Sequence, residues 1–524
     1  MRLKNCIYIL LLSIIVTSCN EEPFLKQMEL PSNAKSGEFF IQKDTYVLND
    51  LKYEANSGII IVPENRDKLD SRLIKVPFVQ IKGTGKNIAE PIFFFDGGPG
   101  NPNISQYNFV SNLIENHDIV LVGFRGVDEG STTILNLPEV DEFFANMKGD
   151  LIEKETLDEM SDAYAKGASR LQKEGVDTDG YTVVEVLNDV ELVRKSLGYT
   201  KINLFSVSYG TRLSMIYDWM FPGTVKRSAM IGVNPPGRFE WRPEALDQHL
   251  KYYSELYKKD SIYGDPQIDV AEIIRKNSRK MPKSWMLIPI KRGHVIMSTF
   301  LMLYSTDSAP KLFDAWIAAD NGDWSGIAMI SLTMDYMLKD ALLWGDLAAK
   351  SSSVDYDFDP NLEVMKEFMP KNSIIGAPGT LLGIGSKGWP SKLIPDSLRT
   401  VQYSETPTLL INGNIDVSTP EQYGREELLP YLKNGKQVLI SEAAHSPDVF
   451  GKQRPALDFM LKKFYKTGVV DDSKYEYHPM SFEVGLSFQT IMKLSIAIII
   501  VVLLIVTYVL RRIIIKRNRK RKKV

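Results

Sequence analysis

Three residue types needed for covalent acyl transfer occur at separate points of the chain, each just beyond a short apolar run. Ser208 sits in "NLFSVSYGT" (203–211), Asp416 in "NGNIDVSTP" (412–420) and His445 in "EAAHSPD" (442–448). A serine hydroxyl is a weak nucleophile and needs a base within hydrogen-bond reach, with a third group to orient that base. Only five histidines exist, at 117, 249, 294, 445 and 478, and His445 falls where the base is required. A fourth feature addresses the charge that develops on the substrate oxygen. "FFFDGGPG" (93–100) places Gly97, Gly98 and Gly100 after an apolar run, where missing side chains let backbone N–H groups approach an oxyanion. Gly98 N–H and Tyr209 N–H are the expected pair of donors.

These residues need a scaffold. The runs 91–95, 118–122, 201–205, 228–233, 408–412 and 437–441 are short and almost wholly apolar, which suits parallel strands covered by helices on both faces. Before Ser208, Thr182 and Glu185 have capping-box spacing. Val183, Val186, Leu187, Val190, Val193 and Leu197 recur at helical spacing, and Gly198 supplies a stop. Ser, Asp and His in that chain order, each past the carboxyl end of a strand, is the arrangement of the α/β-hydrolase fold, so the expected class is α/β with a mostly parallel, doubly wound sheet.

Residues 237–400 break the strand rhythm and hold six of the seven tryptophans, among segments of helical pattern. They read as a mainly helical cap inserted between two sheet strands, with the tryptophans forming its core. The expected division is a hydrolase core at 20–236 and 401–470, the cap at 237–400, and a linker at 471–493.

Both ends carry membrane signals. Residues 1–19 have a basic start, an apolar run from Ile7 to Val16, and small residues before Cys19, as in a lipoprotein-type signal peptide whose cysteine is lipidated. Cys6 and Cys19 are the only cysteines, so removal of the signal excludes an internal disulfide and a cysteine metal site. Residues 494–510 carry no charge, and the tail 511–524 that follows holds nine Lys and Arg. That reads as a transmembrane helix with a cytoplasmic tail, the large domain facing the extracytoplasmic side. The rest of the chain has 54 basic against 65 acidic residues, which disfavours nucleic acid as a partner. No metal-ligand cluster, dinucleotide fingerprint or P-loop occurs, so no cofactor and no metal are expected.

The motifs resemble those of the proline iminopeptidase and tripeptidyl aminopeptidase family. "DGGPG" is similar to its HGGPG, "GFRGVDEGS" to its D-x-R-G-x-G-x-S, "VSYGT" to its G-x-S-Y-G-T elbow and "GNIDVSTP" to its G-x-x-D-x-x-T-P acid loop. The "IIIVPEN" run resembles the early strand of the tripeptidyl aminopeptidase branch. The resemblance implies Ser208 as nucleophile, Asp416 as acid and His445 as base, acting on peptides next to a free amino terminus. It also implies carboxylates near the start of the cap that bind the substrate amine, for which Glu240 and Glu244 are the first candidates. Asp96, Gly123 and Ser206 depart from the family pattern, which has His, Asp and Gly there. An esterase using the same triad, and a catalytically silent binding module, are the competing readings.

Overall fold

The run from Ile92 to Phe95 shows why the sheet forms. Ile92 and Phe94 point to one face and Phe93 and Phe95 to the other, and all four are buried. A strand apolar on both sides is stable only between two helical layers. In a computed structural model of the chain, residues 30–105, 111–237, 242–339, 341–355 and 370–521 are described.

Five strands come first: β1 (Phe39–Leu48), β2 (Leu51–Pro63), β3 (Leu73–Ile81), β4 (Ala89–Phe95) and β5 (His117–Val122). Helices α1 (Pro138–Asn146), α2 (Lys154–Lys173) and α3 (Val183–Ser196) follow. Next come β6 (Ile202–Val207), α4 (Tyr209–Met220) and β7 (Val225–Ile231). A long helical stretch is built from α5 (Pro243–Lys259), α6 (Val270–Asn277), α7 (Arg292–Met302), α8 (Ala309–Asp320), α9 (Ser325–Met337) and α10 (Trp344–Val354). It ends with the short α11 (Thr380–Gly385) and α12 (Asp396–Arg399). Its only strands among the described residues are the two-residue pair β8 (Ser284–Trp285) and β9 (Ile288–Pro289). The sheet resumes with β10 (Thr408–Gly413) and β11 (Gly435–Ile440), followed by α13 (Ser446–Thr467) and α14 (Phe488–Arg521).

The nine-stranded sheet has the order β1-β2-β3-β5-β4-β6-β7-β10-β11. From β5 to β11 every neighbour is parallel, whereas β1, β2 and β3 pair antiparallel at one edge. One face is covered by α13 through Leu457, Leu461 and Phe464, the other by α3 and α4 through Val186, Val190, Leu213 and Ile216. The class is the α/β-hydrolase fold, with a sharp strand-to-helix turn at Ser208 in mid-sheet.

Trp316, Trp344 and Trp389 are buried within one large apolar cluster of the helical stretch. That cluster also takes in Leu157, Met160 and Tyr164 of α2 and Val140 and Phe144 of α1, so the excursion between β5 and α3 packs with the helical stretch. Apolar spacing marks a helix face but not its partner, and the expected boundary at residue 237 did not include this excursion. The Thr182 cap also differs from expectation. Thr182 precedes the first residue of α3, yet its side chain makes no capping bond, and the Glu185 carboxylate accepts from the backbone and guanidinium of Arg66.

Residues 471–493 run as a strap along the body. Tyr475 Oη accepts from Ser441 N–H (3.0 Å), Glu442 accepts from Met480 N–H (2.8 Å) and from Tyr477 Oη–H, and Gln489 donates to Asp314 (2.6 Å). Phe482 and Met492 are buried in the helical cluster, and Lys493 pairs with Asp323 at 2.6 Å. From Ile500 to Lys516 α14 is exposed. Within Phe488–Lys516 an 18-residue stretch has a mean hydropathy of 2.8, and the helix is long and apolar enough to cross a membrane. Cys19 and the signal-like segment lie outside the described residues.

Candidate active site

The turn that carries Ser208 is strained. Its φ of 53° and ψ of −125° lie where a side chain is rarely tolerated, so the surrounding contacts must hold it. Ser208 N–H donates to Ile231 O of the neighbouring β7 (2.8 Å), and Ser208 O accepts from Thr211 N–H (2.9 Å) and Thr211 Oγ1 (2.6 Å). Helix α4 then begins so close to β4 that a Cβ on Gly210 would lie 2.2 Å from Phe95 O. Only glycine fits there. Ser206, standing where the family has glycine, is fully buried without disturbing this turn.

Asp416 follows β10 and His445 follows β11, which brings both to Ser208 from adjacent parallel strands. His445 Nε2 lies 3.0 Å from Ser208 Oγ, and His445 Nδ1 lies 2.8 Å from Asp416 Oδ2. A carboxylate only accepts, so Nδ1 carries the proton toward Asp416 and Nε2 is left to accept from the serine hydroxyl. Asp416 is fully buried. Its oxygens also accept from Ser418 N–H (2.8 Å), Thr419 N–H (2.9 Å) and Thr419 Oγ1 (2.7 Å). Burial alone raises a carboxyl, but the attraction and hydrogen bond of His445 and the bonds from Thr419 outweigh it, leaving Asp416 below the usual carboxylate range.

The helical stretch braces His445. Tyr304, just past α7, sets its ring 5.4 Å from the His445 ring, and Tyr304 O accepts from His445 N–H (3.1 Å). Asp448 joins the same two segments, accepting from Ala444 N–H (3.1 Å) and Thr306 N–H (2.8 Å). Behind the ring, Gly232 has a φ of +68°, and a Cβ there would lie 3.1 Å from His445 Cε1. Sequence reasoning missed Tyr304, Asp448 and Gly232, since none carries a local signal of proximity to the triad.

The glycine loop lies beside the serine. A Cβ on Gly97 would come 3.0 Å from Ser208 Cβ and 3.5 Å from Oγ. Among the described residues neither Gly98 N–H nor Tyr209 N–H donates to another protein group, whereas Gly97 N–H is taken by Asp96 Oδ1 (2.7 Å). Asp96 thus turns one oxygen inward onto its own loop. Glu244 is exposed on the first turn of α5 and takes no part in this cluster. A carboxylate already in water has no reason to seek the site. Glu240 lies outside the described residues. The described residues contain no group of His, Cys, Asp and Glu able to hold a metal ion.

No protein-family model matches the chain. A stretch of 294 residues is 24% identical to the tripeptidyl aminopeptidase of Streptomyces coelicolor, covering 50% of this chain and 53% of that protein. The chain thus spans about half the length of this curated relative. A stretch of 194 residues is 27% identical to the putative hydrolase YuaR of Escherichia coli, covering 36% of this chain and 35% of that protein. Among solved structures, a serine hydrolase from Cycloclasticus zankles aligns at 12% identity and a TM-score of 0.33, over 82% of this chain and all of that one. A thermophilic esterase from Thermogutta terrifontis aligns at 12% identity and a TM-score of 0.34, over 78% of this chain and 98% of that one.

Proposed function

We propose that the protein is a serine hydrolase that cleaves peptide bonds near a free amino terminus through an acyl-enzyme. The observation that carries the reading is the chain of contacts from Ser208 Oγ through His445 to buried Asp416, at 3.0 and 2.8 Å. In this mechanism His445 Nε2 takes the Ser208 proton as Oγ attacks the substrate carbonyl. Gly98 and Tyr209 N–H groups receive the oxyanion, and loss of one such donor typically lowers turnover about 10²–10³-fold. His445 then delivers its proton to the leaving amine, and water, activated by the same imidazole, releases the acyl group. Asp416 stays ionised throughout and stabilises the imidazolium.

The aminopeptidase part of the proposal rests on the motif resemblance and on the match to tripeptidyl aminopeptidase. The exposed position of Glu244 favours a second reading, an esterase on the same triad, because one of the two expected amine-binding acids stands in solvent. The helical stretch over the triad acts in either case as the cap that shapes the acyl pocket. Placement at the cell membrane, with lipid on Cys19, the catalytic domain outside and a basic tail inside, is part of the same proposal. It is supported by the apolar helix α14.

The test is a fluorophosphonate probe combined with substrate profiling of the purified protein on aminoacyl and tripeptidyl amides against short-chain esters. Ser208→Ala abolishes labelling, and Ser208→Ala or His445→Ala lowers turnover by several orders of magnitude. Near-normal turnover in Ser208→Ala refutes the mechanism. Preference for esters, or equal cleavage of free and amino-blocked peptides, moves the assignment to the esterase.

A further inference from the structure

The glycine loop is gripped from the helical stretch as well as from the sheet. Gly100 N–H donates to Asp346 Oδ2 (3.0 Å), and Leu343 N–H donates back to Gly100 O (3.2 Å). The two backbones are so close that a Cβ on Gly100 would stand 3.2 Å from Leu343 N and O. Asp346 is fully buried on the first turn of α10, and Lys350, one turn on and also fully buried, holds its ammonium 2.5 Å from Asp346 Oδ1. That ammonium lies 4.8 Å over the Phe124 ring.

Asp128 grips the far side of the loop, accepting from Asn103 N–H (3.0 Å), Ile104 N–H (2.6 Å) and Phe124 N–H (2.6 Å). The Asn103 side chain in turn accepts from Asp96 N–H (2.8 Å) and donates to Phe94 O (3.0 Å) and Val122 O (2.8 Å). Asp346 and Asp128 therefore hold residues 96–104 on both flanks of Gly98. Buried ion clusters of this kind are seldom the most stable solution, since well-packed apolar replacements often equal or exceed them. What the cluster supplies here is a fixed backbone, with acceptors placed at specific N–H groups.

We infer that Asp346 and Asp128, through the N–H groups they hold, position the Gly97–Gly100 loop for oxyanion stabilisation. The inference rests on the reading of Ser208 as nucleophile and Gly98 as oxyanion donor. Two neutral double variants of the full chain separate the hydrogen bond from the charges. Asp346→Asn/Lys350→Met keeps an acceptor for Gly100 N–H, whereas Asp346→Leu/Lys350→Met does not.

With a substrate found by the profiling above, the two pairs are compared with each other, since both lose the charges and only Asn/Met keeps the acceptor. The Leu/Met pair is expected to fall about 10- to 100-fold below the Asn/Met pair in kcat with KM nearly unchanged, since the lost contact matters only in the transition state. Its unfolding midpoint stays at or above that of the Asn/Met pair. Wild-type kcat in Leu/Met, or losses in both pairs that follow their unfolding midpoints, overturns the inference. Should either pair fail to fold, Asp346→Glu keeps both charges and displaces the acceptor by one methylene. Its kcat must then fall about tenfold or more at constant KM, and an unchanged kcat refutes the positioning role. If the fluorophosphonate fails to label Ser208 in the wild-type protein, the reading beneath falls first and the inference with it.

Discussion

Gly232→Ala adds one carbon just past β7, behind His445, the proposed base. Its Cβ would lie 3.0 Å from Thr419 Oγ1, 3.0 Å from Ser446 Oγ and 3.1 Å from His445 Cε1. Nonbonded heavy atoms settle at about 3.5 Å or more, so these neighbours must retreat by about 0.4 Å. Thr419 and His445 both bond Asp416, so the displacement acts on the triad from two sides. Two costs follow and can be separated. Forcing alanine to a φ of +68° costs about 1–2 kcal/mol of stability wherever it is done. Moving the imidazole costs rate: a misplacement of about 1 Å is worth about 100-fold, so about 0.4 Å is worth roughly fivefold to tenfold in kcat/KM. Gly468→Ala is the control, since Gly468 ends α13 at a φ of +79° with the Arg227 side chain as its nearest neighbour at 3.4 Å. Urea unfolding and steady-state kinetics on both variants are expected to show similar destabilisation, with the rate loss confined to Gly232→Ala. Equal kcat/KM in the two variants at matched stability would refute the steric argument.

Burial pushes the Asp128 carboxyl from 3.8 up to about 6, against the pull of three N–H groups and Lys350. The folded state therefore holds this proton more tightly than the unfolded chain, and the contribution of Asp128 to stability falls by about 3 kcal/mol as pH rises through that window. Urea unfolding of wild type and Asp128→Asn at about pH 4 and about pH 7.5 checks this: the balance must shift toward the variant at the higher pH, and a constant difference refutes it. Asp416, held below 3.8, has the opposite sign, its contribution being complete above 3.8 and lost as pH falls through its lower folded value. For membrane placement, deleting residues 494–524 or replacing Cys19 with alanine is each expected to leave the protein in the membrane fraction, and both together to release it. Release by either change alone, read by ultracentrifugation, contradicts two-point anchoring.

The strands of the parallel half could be read from the chain because each must be apolar on both faces, a pattern that loops and surface helices do not produce. The same economy made Ser208, Asp416 and His445 visible: each follows a strand, and a parallel sheet brings the carboxyl ends of its strands to one edge. What stayed hidden depends on contacts between distant segments. Tyr304 meets His445 from 141 positions away, and Asp346 meets Gly100 at a separation of 246. Neither pairing has a local pattern, since an aspartate in the first turn of a helix reads as a surface residue favoured by the helix dipole. Glu185 illustrates the converse: its spacing from Thr182 matched a capping box, and a guanidinium from the β2–β3 connection claimed the carboxylate instead.

The departure at residue 123 has a physical explanation in the loop after β5. A Cβ on Gly123 would lie 2.8 Å from Pro77 Cγ and 2.9 Å from Asp128 Cβ, so an aspartate at 123 is incompatible with Asp128 where it stands. Asp128 itself supplies a buried carboxylate at this point, bonded to Phe124 N–H on its own turn and to Asn103 and Ile104 on the glycine loop. Arg125, from the same turn, is fully buried and forms a two-pronged pair with Asp189 of α3, at 2.7 Å for each contact, while also donating to Glu64 O (2.6 Å) and Gly180 O (2.7 Å). Residues 123–128 therefore tie the glycine loop, α3 and the end of β2 together with charges that water does not screen. Glycine at 123 is the residue that leaves room for Asp128 in this turn.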